Sequence, residues 1–216
     1  MRVASGTTII SPISGGSGDA VIHLNTFHKE KPLFNDGRSK SVVFVAHCIL
    51  NQNAISDGTA CFPGCIKEIV DLLRVSDVGI VQMPCPELHC LGLDRGNIHG
   101  SSTPVVEENT RIRKALQQQP AMVRIERLVQ DVVFQVQEYQ KHGFEIKGVI
   151  GVNRSPSCGV ETTSNDNQEV EGAGVFIEAL RRELAGHDIQ VDFVGIKAFE
   201  MQKAVADVND LLGTNS

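Results

Sequence analysis

Four short apolar runs after residue 40 limit what this chain can fold into more than any other feature. They are Val42 to Ala46, Val78 to Met83, Gly148 to Val152 and Val191 to Ile196. Each is brief, largely continuous and rich in β-branched residues. Such runs suit strands covered on both faces, as in a parallel sheet. Helical patterns lie between them. Pro63 is placed like a first helical residue, and Ile66, Ile69, Val70 and Leu73 follow at spacings of three and four. A long segment from Glu107 to His142 is expected to break near Pro120. Beyond the break, Met122, Ile125, Val129, Val132, Val136 and Tyr139 form one stripe, with Gly143 as the stop signal. Phe176, Leu180 and Leu184 form another stripe ending at Gly186, and a last helix is expected from Phe199 to Leu212.

Strands alternating with helices predict an α/β fold: a three-layer sandwich with a mostly parallel central sheet, Rossmann-like, built with right-handed crossovers. The expected domain covers residues 41–216. Residues 1–40 read as an N-terminal extension, because Ser14-Gly15-Gly16-Ser17-Gly18 is linker chemistry. A small hairpin there is the alternative.

At 216 residues the chain can bury a full core without disulfides. Residues Met1 to Thr8 contain no apolar stretch of a secretory signal, so a cytoplasmic protein is expected. No run approaches the roughly 20 apolar residues of a membrane span. A formal charge of −6 and a single Tyr without Trp disfavour a general nucleic-acid binder. Arg111, Arg113, Lys114, Arg124 and Arg127 alternate with Glu107, Glu108 and Glu126, which reads as a solvated helix face.

Six cysteines in such a chain point to metal binding, catalysis or inert burial. Three of them directly follow strand runs: Cys48 the first, Cys85 the second and Cys158 the third. In a parallel sheet the strands' carboxyl ends share one edge, where ligands bind. These three thiols are therefore expected to converge. Pro84 and Pro86 stiffen the chain around Cys85, and Pro156 and Gly159 bracket Cys158, whose loop could aim backbone N–H groups at an anion or at cluster sulfides. Glu87 falls at the same edge, placed for general acid or base chemistry. Cys61 and Cys65, at the expected start of the first helix, and Cys90 read as bystanders. His47 and His89 read as structural histidines. Three soft thiolates suit an iron–sulfur cluster with one iron left open as a Lewis acid, since closed zinc sites prefer four ligands in close pairs. A metal-free thiol enzyme using Cys158 or Cys85 is a rival, and so is a non-catalytic protein that holds a cluster or zinc.

Ala46-His47-Cys48-Ile49-Leu50, Cys85-Pro86-Glu87 and Ser155-Pro156-Ser157-Cys158-Gly159 resemble the motifs of the 2-thiouracil desulfidases. The resemblance extends from about Ser41 to Ile196. It implies a compact α/β enzyme with a 4Fe-4S cluster held by Cys48, Cys85 and Cys158. Glu87 would be the acidic catalytic residue, and Ser155 the catalytic serine. The implied reaction turns C=S of a small thiolated compound into C=O, releases sulfide and involves no net redox change. His47 departs from the small residue usual before the first cysteine of that family.

Overall fold

The structure, a computed structural model, describes residues 34–214. The expected extension, and the hairpin alternative for it, lie outside the described residues except for residues 34–40. The strands are β1 (Ser41–Val45), β2 (Gly79–Gln82), β3 (Glu145–Val152), β4 (Thr162–Asn165), β5 (Gln168–Glu171) and β6 (Phe193–Ile196). The α-helices are α1 (His47–Leu50), α2 (Lys67–Val75), α3 (Pro86–Leu91), α4 (Val105–Leu116), α5 (Gln119–Lys141), α6 (Val175–Gly186) and α7 (Met201–Leu212).

All four apolar runs became strands of one sheet, in the order β2-β1-β3-β6, and every pairing is parallel. The fold is α/β, with helices flanking this sheet as a three-layer sandwich. Helix α5 packs with α3, α4 and α6, while α2 packs with α7. Val43, Phe44 and Val45 of β1 and Ile150 of β3 are sealed at the centre. Ile69 and Leu73 of α2, Val208 of α7, Val136 of α5 and Leu180 of α6 are buried in the same core. Each side chain so buried contributes roughly 1.5–3 kcal/mol of transfer free energy.

The sheet order places a switch point between β1 and β3. The connection from β1 leads outward to β2, and the next one returns past β1 to β3. Ligand crevices form at such points, outside the strands' carboxyl ends.

Several elements differ from the sequence expectation. Pro63 is not helical: α2 begins at Lys67, with Ile66 as its N-cap. The backbone of Gly64 is instead drawn into a loop, where its carbonyl accepts from the Gln52 N–H at 2.6 Å. Cys61 and Cys65 therefore sit in that loop and not on a helix. The break near Pro120 is present, with Pro120 in the first turn of α5. The buried stripe of α5 runs through Ile125, Val129, Val132 and Val136, but Met122 is exposed and Ala121 takes its place. Helix α7 starts two residues after Phe199. The polar hairpin β4–β5, turning at Asp166 and Asn167 with φ of 47° and 61°, carries no apolar alternation to announce it.

The mixed charges of α4 are not a solvated face throughout. Glu108 is buried and accepts from Arg111, whose guanidinium also reaches the Arg95 carbonyl at 2.7 Å. Arg113 donates to Thr163 Oγ1 and the Ala173 carbonyl. These residues tie α4 to the loop after α3, the hairpin and the approach to α6.

Candidate active site

Three strand ends converge on one cavity of about 140 Å³. Cys48, Cys85, Cys158, Glu87 and Ser155 all line it. Each is placed by local structure that its own sequence encodes.

Cys48 lies in the single turn α1, directly after β1. Its carbonyl accepts from the buried Gln52 Nε2 at 2.8 Å. Cys85 is the N-cap of α3, with Pro86 in the first turn. Its sulfur accepts from the Leu88 N–H at 3.4 Å and lies 3.8 Å from Arg95 Nη2. Cys158 is buried in the loop after β3. That loop is folded around Ser155, whose Oγ accepts from the N–H groups of Ser157 (3.2 Å) and Cys158 (3.0 Å), while its carbonyl accepts from Gly159 N–H. The backbone donors expected to face an anion are thus spent within the loop. The carbonyls of Pro156 and Ser157 in turn accept from the first N–H groups of α6, at Val175 and Phe176.

Two glycines let the loop press against its neighbours. A Cβ on Gly151 would stand 2.4 Å from the Cys158 carbonyl oxygen, and one on Gly174 would stand 2.4 Å from the Ser157 carbonyl carbon.

Glu87 is the hub of the site. Its Oε1 accepts from Ser157 Oγ at 2.7 Å and from Ser155 Oγ at 3.4 Å. Its Oε2 accepts from Ser56 Oγ and Arg95 Nε, each at 3.1 Å. Glu87 is 7% exposed and Arg95 only 2%. A buried carboxylate needs such a counter-charge and such donors. The remaining Arg95 donors go to the carbonyls of Gly92, Leu93 and Ala54.

Burial holds the three thiols protonated in the chain by itself. It pushes Cys48 up to about 12, with the charges of Cys85 and Glu87 adding to the effect. It pushes Cys85 up to about 11, with Glu87 next in weight. Cys158 is likewise pushed well above the usual thiol range, by burial and then by Cys85 and Cys48. Each thiolate thus opposes the others. A soft cationic group on the three sulfurs would reverse that balance, so the donor set fits an iron–sulfur cluster. Among the described residues, no three His, Cys, Asp or Glu side chains are gathered to hold a single metal ion. Cluster thiolates bind separate irons and need not share one coordination sphere.

Three residues of the cavity were not legible as site residues. Arg95 and Ser56 reach Glu87 from 8 and 31 positions away. Cys61, read as a bystander, lines the cavity; the buried Gln52 side chain holds its N–H at 3.2 Å while also holding the Cys48 carbonyl. Cys65 and Cys90 do not line the cavity, and the Cys90 thiol faces the Ala121 carbonyl. His47 does line it, and burial, then His89, pushes its imidazole below the usual histidine range.

No family model matches the sequence. An uncharacterised protein of Methanocaldococcus jannaschii is 28% identical over 177 residues, covering 82% of this chain and 96% of the relative. A solved structure of a 4Fe-4S-dependent thiouracil desulfidase, TudS, is 18% identical. That alignment covers 79% of this chain and 99% of the solved one, with a TM-score of 0.44. No described helix is long and apolar enough to cross a membrane.

Proposed function

We propose that this chain is an iron–sulfur-dependent desulfidase that acts on a small thiocarbonyl compound, a thiolated nucleobase or a similar molecule. The thiocarbonyl and water become the carbonyl compound and hydrogen sulfide. The observation that carries this reading is one cavity lined by three thiols from three strand ends, with Glu87 and Ser155 on the same wall. The motif resemblance supports the same assignment.

Cys48, Cys85 and Cys158 would hold the 4Fe-4S cluster. When bound, the cluster supplies an open iron, a soft Lewis acid suited to a sulfur leaving group. The chain's own residues handle protons. Glu87 Oε1 accepts from the Ser157 and Ser155 hydroxyls. A proton leaving the attacking water reaches that oxygen directly or through a hydroxyl, and the same group returns it to the departing sulfur. Ser155 lines the cavity and orients water or substrate at Glu87. Arg95, through Nε, holds the other carboxylate oxygen and fixes the rotamer.

The high proton affinity of the three buried thiols counts against a metal-free thiolate nucleophile. Anaerobic purification followed by iron and acid-labile sulfide assays tests the proposal. The expected protein is brown and releases sulfide from 2-thiouracil or another thiocarbonyl compound. Cys48→Ser, Cys85→Ser and Cys158→Ser should each lose iron and activity, while Cys65→Ser and Cys90→Ser should keep both. A colourless, iron-free protein after reconstitution, or active Cys48→Ser and Cys85→Ser variants, would sink the reading.

A further inference from the structure

The chemistry proposed above uses the ends of β1, β2 and β3. The fourth strand also ends at this edge. Lys197, Ala198 and Phe199 leave β6 and line the same cavity. Phe199 is 63% exposed. A lone exposed phenylalanine on a convex surface needs no explanation. This one stands on the wall of a concave site, and its surroundings are built.

Two cations flank its ring: Arg154 Cζ is 5.6 Å from the centroid, and Lys197 Nζ is 5.9 Å from it. Glu169 of β5 holds both cations in place, with Oε1 2.8 Å from Lys197 Nζ and Oε2 3.4 Å from Arg154 Nε. Glu200 approaches Lys197 as well, at 3.6 Å. The two cations beside Phe199 are thus balanced by two carboxylates. The Phe199 ring stays largely exposed, with the two cations held against it.

We infer that Phe199 is the specificity-determining platform of the site, on which a planar substrate ring stacks while Arg154 and Lys197 meet its polar edge. The sulfur chemistry of that substrate rests on the desulfidase reading; the ring recognition rests on the residues around Phe199. Aromatic rings prefer offset stacking, and replacing a stacking side chain by alanine typically weakens base binding by about 5- to 150-fold.

The test is ligand-observed NMR titration of the anaerobically purified full chain with uracil and with 5,6-dihydrouracil. These two share their imide donors and acceptors, but only uracil is planar and aromatic. Neither carries sulfur, so binding is read without turnover. The wild-type chain should prefer uracil, by about 5-fold or more. Phe199→Ala should weaken uracil by about 5- to 150-fold and bring the preference close to one, and Phe199→Tyr should restore it. An exposed side chain makes misfolding of these variants a minor concern, and a thermal melt checks it. Absence of uracil binding to the wild-type chain, no preference in it, or an unchanged preference in Phe199→Ala would overturn the inference. The two readings separate cleanly. If the preference depends on Phe199 but the iron-loaded chain releases no sulfide from any thiocarbonyl tried, the platform stands and the desulfidase reading falls. If sulfide is released with a KM for 2-thiouracil that Phe199→Ala leaves unchanged, the platform falls and the desulfidase reading stands.

Discussion

Arg95 is almost wholly enclosed, yet it carries a full charge and adopts a left-handed backbone conformation, with φ of 57°. The folded chain accepts that conformation because every nitrogen of the guanidinium is engaged: Glu87 takes one, and the carbonyls of Gly92, Leu93 and Ala54 take the others. Removing one partner of a buried pair leaves the other charge uncompensated, which costs about 3–5 kcal/mol. Arg95→Met should therefore lower the thermal midpoint by roughly 6–20 °C, at about 2–4 °C per kcal/mol for a chain of this size. Glu87→Gln should cost less, because the amide keeps an oxygen for Arg95 Nε and the stranded guanidinium still has the carbonyls of Gly92, Leu93 and Ala54. The double variant should melt above Arg95→Met alone, since the second change removes the stranded carboxylate. Thermal denaturation of the four proteins, monitored by circular dichroism, checks this. Arg95→Met and the double variant melting together would show that the pair is not coupled.

At the scale of elements, the loop of Ser155 to Gly159 depends on its contact with the start of α6. The Gly174 N–H donates to the Gly159 carbonyl at 3.0 Å, and its missing side chain leaves room for the Ser157 backbone. Gly174→Ala places a methyl where backbone atoms stand, and backbone cannot rotate away. The loop must shift, at a cost of about 1–3 kcal/mol for overpacking. Cys158 would move with it. The expected result is a lower thermal midpoint together with reduced iron content per chain, whereas an alanine on the exposed face of α6, such as Glu178→Ala, should change neither. Full iron occupancy in Gly174→Ala would show that the loop tolerates the displacement. The sheet and the meeting of the three thiols at one cavity were legible because hydrophobic runs report burial locally, and Cys48, Cys85 and Cys158 each come shortly after such a run. The rest of the site was not legible for a physical reason. Ser56 meets Glu87, Arg95 meets Ala54 and Phe199 meets Arg154 across long stretches of sequence, and polar side chains in loops leave no periodic trace. The position of Cys61 depends on the amide of one buried glutamine. The same reasoning explains the hairpin β4–β5, which is held by Arg113 and by the side chain of Asn109 on Ser164. Neither tie could be read from spacing.

For the whole molecule, four parallel strands bring their ends to one edge, and every residue assigned to the site lies between His47 and Phe199. The sequence reading placed the domain boundary at residue 41. The contacts of the preceding residues argue for an earlier one. Phe34 packs at 5.6 Å from the ring of His142 and 5.8 Å from that of Phe144, and the Arg38 guanidinium sits 4.1 Å from the Phe34 centroid. These contacts close the junction between α5 and β3, where Tyr139, Phe144 and Phe44 form a chain of rings beneath them. A chain beginning at Leu33 keeps these ring contacts. A chain beginning at Ser41 loses two ring pairs, each contributing about 0.5–1.5 kcal/mol. It should melt roughly 2–12 °C lower, at about 2–4 °C per kcal/mol, while its cavity, on the opposite ends of the strands, keeps its iron. Melting curves and iron analysis of the three chains decide the matter. Equal midpoints for the two shorter chains would place the boundary at residue 41, because the rings of Phe34, His142 and Phe144 would then contribute nothing to holding the sheet closed.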